Sequence, residues 1–376
     1  MNILNLAQKI VSIPSYLDKE NNINEITLGN FIFEYFKSNI KTLQVVKQKE
    51  KDGERFNIIA SNTTSPTLVF SCHMDTVQPV LSVEKQMDVR VEGDKLFGLG
   101  ASDMKGGLAA IISAVEDLQA NLPPIAIVFD YDEEYYFAGI IDFLREYKYR
   151  PDLAVFTEPT NLQILNGCRG ITEVRFDVIG RSGHGSRPEE AVNAIEAAYE
   201  LIKKLKISLS KKNTKQIGMN SINFSSLQGG REQDGRIIEQ ANAVPDIARV
   251  LLDIRISNSD VNAKFILKKL QELAKPLSVK IRQFTCNLEI QPVFTPKEKL
   301  QLVELSMSKV MGKFSYNKEL DKTGLFEGAY VKPEWDCPCI AFGPGPRNTE
   351  FTIGEYVSIS DLKIAKDIYK EIINSI

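Results

Sequence analysis

Apolar residues recur at spacings of three and four through the first forty positions, in "NILNLAQKIVSI" and "INEITLGNFIFEYFKSNI", which predicts two amphipathic helices. The pattern then shortens. "TLVFSC" (67–72), "PIAIVFDY" (124–131) and the apolar part of "DLAVFTE" (152–158) are strand-like runs, separated by the helical stretches "DMKGGLAAIISAVEDLQANL" and "FAGIIDFLREYK". Strands alternating with helices predict parallel pairing in an α/β sheet covered on both faces.

Near residue 170 the texture changes. "GITEVRFDVIGRSG" alternates polar and apolar positions, as a half-exposed strand does. A helix follows from "PEEAVNAIEAAYELIKKLK", with Pro188 expected near its first turn. Two further strands, a helix at "VNAKFILKKLQELAK" and a strand at "VKIRQFTC" complete a strand–helix–strand–strand–helix–strand pattern, an α+β unit with antiparallel neighbours. After Pro292 the first texture returns. The expected organisation is a split first domain (1–168 and 288–376) with a second domain (169–287) inserted into it. The polar "SLSKKNTKQ" (208–216) reads as a surface loop.

Bulk composition adds little beyond exclusions. A length of 376 residues, 43% apolar residues and 25% charged residues describe an ordinary globular chain, and a net charge of −3 argues against non-specific nucleic-acid or membrane binding. The absence of a long apolar run makes a cytoplasmic protein the expectation. Five cysteines, odd in number and scattered, suit free thiols; Cys337-Pro-Cys339 reads as buried thiols before a strand rather than as a metal pair.

Candidate chemistry gathers where apolar strands end. "SCHMDTV" places His73 and Asp75 two apart, on one face of a strand end, and a metal-binding imidazole commonly has a carboxylate partner. "LFGLGASDMKGG" crowds glycines around Asp103 without the spacing of a phosphate loop, which points to a carboxylate held in a tight turn and able to bridge two metals. "FDYDEEYYFAG" closes a strand with Glu133 and Glu134, one suited to ligation and the other to general-base work. "VFTEPTN" closes another with Glu158. Four such clusters, carrying carboxylate and imidazole but no thiolate, suit zinc, manganese or cobalt. In the inserted segment, "GRSGHGSRPEE" carries the one other histidine, His184, and "NAVPDIARVLLDIRI" carries Asn242 and Arg255; the arginine is either a carboxylate clamp or a surface charge.

Taken in order, "HMDTV", "GxGxxDMKGG", "DEE", "TEPT", "GxxGHxxxPxxxxNAI", "NxVPDxAxxxxDIR", "FGPG" and "EYV" resemble the M20 metallopeptidase and deacylase family over the whole chain. The resemblance implies a phosphorylase/hydrolase-like catalytic domain with a mixed sheet and an inserted ferredoxin-like α+β lid through which two copies dimerise. It also implies one or two ions per subunit, Zn2+ or Co2+/Mn2+. His73 and Glu158 would bind one metal, with Asp103 bridging to a second held by Glu134. Asp75 would partner His73 and Glu133 would act as general base. His184 would stabilise the oxyanion, and Asn242 and Arg255 would bind substrate. A cis peptide after Asp103 belongs to the same expectation.

One position departs from the family pattern. Counting from Gly345 and from Glu355, the place of the expected last metal-binding histidine is Phe351. Either Glu350 or Asn348 supplies a substitute oxygen, or one metal suffices, or hydrolysis is lost; the complete remaining set favours an enzyme. Within the family, the chain length, single lid and Arg255 point to removal of the acyl group from a small N-acyl amino acid, in the manner of acetylornithine deacetylase and succinyl-diaminopimelate desuccinylase. "GCRGI", with Cys168 where an arginine is expected, serves a dicarboxylic acyl group less well. The rivals are a dipeptidase or carboxypeptidase of the same fold, and a non-catalytic protein that binds acylated amino acids.

Overall fold

The computed structural model describes residues 1–51, 53–80, 86–347, 349, 352 and 354–376. Its chain forms two compact units. One comprises Met1–Gly167, Thr295–Lys318 and Phe326–Ile376; the other comprises Cys168–Phe294 and Glu319–Leu325.

The first unit is built on a six-stranded sheet. Its strands lie in the order Gln44–Lys49, Phe56–Ser61, Ile125–Asp130, Leu68–His73, Leu153–Phe156 and Cys339–Ala341. The last four are parallel, as strand–helix alternation predicts, and are almost wholly buried apolar runs. The first two pair antiparallel, so the sheet is mixed. Periodicity does not reveal them: "QVVKQK" lies half-exposed at the sheet edge and "FNIIAS" is buried almost throughout, so neither carries a clean alternation.

The Gly106–Leu118 helix is buried along every face from Gly106 to Val115, which is why small residues dominate it. It packs closely against the C-terminal helix Ile359–Asn374, capped by the Ser358 hydroxyl. At Gly107 a Cβ would sit 2.0 Å from the backbone oxygen of Thr157, just past the strand Leu153–Phe156. A small three-stranded sheet, Arg90–Glu92, Lys95–Phe97 and Tyr356–Ser358, ties the residues just after Glu355 to the chain just before Gly98.

The second unit is an antiparallel sheet in the order Arg236–Ile238, Ser221–Gln233, Ile247–Ile256, Gly170–Ile179 and Lys280–Ile290. The helices Ala194–Ser210 and Ala263–Ala274 bury their apolar faces with this sheet in a separate core that includes Phe176, Leu201, Leu252 and Leu270. Its element order is the ferredoxin-like one. The first helix starts later than Pro188 suggests. Pro188–Glu190 is a separate turn, and the helix begins at Ala194 because the Asn193 side chain accepts the N–H groups of Ile195 and Glu196. The helix also runs on to Ser210, into the stretch expected to be a loop.

Gly107→Ala is expected to destabilise the chain by about 3 kcal/mol or more, because backbone cannot yield as a flexible side chain does. Asn193→Ala should cost only about 1 kcal/mol. Denaturant midpoints of the two variants measure both; equal costs would contradict the packing described.

Candidate metal and catalytic centre

Parallel strands share a direction, so their carboxyl ends meet at one sheet edge. His73 and Asp130 are the last residues of adjacent strands and are paired in register, while Glu158 follows Phe156 by two residues. Chain direction and burial thus assemble groups far apart in sequence.

His73 is buried, with Nε2 3.2 Å from Asp103 Oδ1 and 4.0 Å from Glu133 Oε2. Its Nδ1 lies 3.0 Å from the Asp75 backbone oxygen and 3.5 Å from the Asp75 carboxylate. That carboxylate also accepts the backbone N–H groups of Glu133 and Glu134, each at 3.1 Å. Asp75 therefore holds the acidic loop as well as facing the imidazole. Arg55 braces the same loop through Asp132 at 2.6 Å, and its Nε lies 3.7 Å from Glu25.

Asp103 is fixed from the other end of the chain. Glu355, buried, accepts N–H groups from Gly100 at 3.0 Å, Ser102 at 2.9 Å and Asp103 at 3.1 Å. Gly100 has φ 75°, a left-handed conformation that glycine adopts without penalty. The Asp103–Met104 peptide is cis. Lys105 is buried beneath this turn and donates to the Ile13 carbonyl at 2.7 Å. Burial lowers its pKa to about 7, against the pull of Glu355 and Asp75.

The donor atoms fall into two groups. One atom each from His73, Asp103 and Glu134 lie within 4.8 Å of one another, and so do one each from Glu133, Glu158 and Glu327. Glu134 thus gathers with His73, and Glu158 with the expected base. Glu327, wholly buried, has no motif around it in "LFEGAYV" that marks it in advance. Asp130 and the clamping role of Glu355 are also illegible in the sequence, since nothing there says which acids become buried.

Electrostatics across the centre follow from burial. Desolvation raises Glu133, Glu134 and Glu327 well above the ordinary carboxylate range, and neighbouring carboxylates push the same way. Glu158 rises to about 8 and Asp130 to about 7, again chiefly by burial. For His73 burial opposes the charged form, but the bonds to Asp103 and Asp75 and the Glu133 charge outweigh it, so its pKa is raised well above the usual value. Such a surplus of buried anions around one imidazole fits a bound divalent cation, and the nitrogen and oxygen donors are those that zinc, cobalt or manganese accepts.

In the second unit, the chain pairs His184 with Ala243, and Gly185 donates to the Asn242 carbonyl at 2.8 Å, so the His184 and Asn242 loops lie side by side. His184 is exposed, with Nδ1 2.8 Å from the Ser186 hydroxyl. Arg255 is already engaged by a carboxylate, with Nε 2.9 Å and Nη2 3.0 Å from the two oxygens of Asp253. Asn348, Glu350 and Phe351 lie outside the described residues.

This architecture, with its acid and imidazole centre at the parallel strand ends, is that of a metal-dependent hydrolase. Residues 69–375 match Peptidase family M20/M25/M40, and the chain belongs to that family of metallo-hydrolases acting on amide bonds. An acetylornithine deacetylase of Buchnera aphidicola is 28% identical over 97% of this chain and 94% of its own length. A probable carboxypeptidase of Emericella nidulans is 28% identical over 68% of this chain and 62% of its own. Aminopeptidase PepT of Bacillus cereus shares the fold with a TM-score of 0.80 at 17% identity, covering 99% of this chain and 97% of that one. A dinuclear metal-binding M20 peptidase of Bacillus subtilis does so with a TM-score of 0.69 at 14% identity, covering 98% and 96%.

Two outcomes follow from this geometry. Asp75→Asn should weaken divalent-metal binding roughly 10–100-fold, because it leaves a backbone N–H of the acidic loop facing a donor; competition with a chelator measures it. Glu25 is buried, and desolvation with the Asp75 charge raises its pKa from 4.5 to about 7. A raised carboxyl contributes stability below its unfolded pKa and loses it as pH rises through the folded value. Between pH 4 and pH 8 in chelator, Glu25→Gln should therefore gain up to ~3 kcal/mol relative to the parent chain. A difference in stability that does not change with pH would contradict the burial argument.

Proposed function

We propose that this protein removes the acyl group from a small N-acyl amino acid. The observation that carries the reading is end-to-end similarity to an acetylornithine deacetylase, together with a buried acid and imidazole centre at the strand ends. The donors fit a zinc, cobalt or manganese ion, which when bound polarises the amide carbonyl as a Lewis acid. His73, Asp103, Glu134 and Glu158 would hold one or two such ions.

The chain's own groups do the rest. Glu133 is the general base: burial raises its proton affinity, and it takes the proton of the attacking water and passes it to the departing amine. Asp75 keeps the loop bearing it in register through the two N–H bonds. His184 stabilises the negative charge that develops on the carbonyl oxygen, and Asn242 and Arg255 bind the substrate. For Arg255 this means exchanging the Asp253 carboxylate for that of the substrate. We place the enzyme in the cytoplasm as a homodimer through its second unit; among the described residues no helix is long and apolar enough to cross a membrane.

The carboxypeptidase relative supports a second reading, hydrolysis of a dipeptide by the same bond chemistry. A panel of N-acetyl amino acids and dipeptides, assayed with Zn2+, Co2+ and Mn2+, separates the two by the highest kcat/KM. Glu133→Gln is expected to lower kcat about 10²–10⁴-fold with little change in KM. Tight binding of N-acetyl amino acids without turnover, indifferent to that substitution, would instead mark a non-catalytic binding protein.

A further inference from the structure

Glu327 stands immediately before the helix Gly328–Trp335 and is wholly buried. The Ser71 hydroxyl lies 3.5 Å from its Oε1 and donates to Asp130 Oδ2 at 3.0 Å. Beyond this, Glu327 Oε2, Asp130 Oδ1 and Glu158 Oε1 are buried oxygens with no hydrogen-bond partner among the described residues. Buried lone pairs of this kind are costly unless something fills them.

Two things can fill them. A proton shared between Asp130 and Glu327 neutralises one charge among the neighbouring carboxylates and does nothing for the open oxygen of Glu158. A divalent cation offsets two charges and reaches the carboxylates that surround it. The spacing admits the cation: oxygens each about 2.0–2.6 Å from one ion cannot lie more than about 5 Å apart. Donor oxygens of Glu133, Glu158 and Glu327 meet that condition, all within 4.8 Å of one another.

We propose that Glu327, with Glu133 and Glu158, forms an all-oxygen site for a hard divalent cation, of the manganese or magnesium class, distinct from the imidazole-containing group at His73. Hardness follows from the donors, since carboxylates without nitrogen or sulfur suit such ions. The site shares Glu133 and Glu158 with the hydrolase reading and to that extent rests on it. Glu133 would offer one carboxylate oxygen to this site and leave the other for proton transfer.

The test is titration of the chelator-stripped full chain with Mn2+, reading free ion by electron paramagnetic resonance, with hydrolysis assayed in parallel. Two sites are expected. Glu327→Gln should abolish one, or weaken it beyond the roughly 10–100-fold that an outer hydrogen-bond partner supplies, while the site sensitive to His73→Ala persists. Unchanged stoichiometry with affinity within a few-fold would overturn the proposal and leave the shared proton. Should circular dichroism show Glu327→Gln unfolded, Glu327→Asp keeps the charge and withdraws it by one methylene. Its Mn2+ affinity at that site should then fall more than about tenfold, and parental affinity would overturn the proposal. A Glu327-dependent site in a chain that hydrolyses no amide would sink the deacylase reading alone; hydrolysis with no such site would sink this one alone.

Discussion

Carboxylates brought together out of water repel one another, and the first unit concentrates them where four parallel strands end. Asp130, Glu133, Glu158 and Glu327 all have raised proton affinities for that reason, and the same surplus raises the pKa of His73. An anionic interior of this kind persists only when protons, hydrogen bonds or cations offset it. Most of the surrounding architecture is devoted to holding the groups still in spite of that repulsion.

Two clamps do so by the same device. Asp75 commits its carboxylate to the N–H groups of Glu133 and Glu134, and Glu355 commits its own to Gly100, Ser102 and Asp103. In each case an acid that is not itself a donor in either group fixes the backbone beneath one that is. The small sheet from Tyr356–Ser358 carries Glu355 into place across more than two hundred residues of chain. Arg55 adds a cation behind the acidic loop, which keeps Asp132 and Glu25 from joining the repulsion unopposed.

The second unit is organised on a different principle. Its sheet buries one face under two helices and carries Arg255, while His184 and Asn242 lie on adjacent loops. Of these, Arg255 is held by a carboxylate two positions away on its own strand. A guanidinium presented in that fork is already arranged for carboxylate recognition.

What was legible in the sequence was local. Apolar runs ending in His73, Asp130 and Phe156 specify strands, strand–helix alternation specifies parallel pairing, and parallel pairing alone predicts that the motifs after those strands meet at one edge. The glycines around Asp103 announced an irregular turn, and the composition of the motifs announced the hydrolase family. The long-range decisions belonged to tertiary structure. The antiparallel strands Gln44–Lys49 and Phe56–Ser61 turned the sheet mixed, and Asn193 rather than Pro188 set where a helix starts. Glu327 and Glu355 became buried partners of residues hundreds of positions away. Periodicity reports which face of an element is apolar; it does not report which acid is carried into the interior, because that depends on packing between elements and on the charges already there.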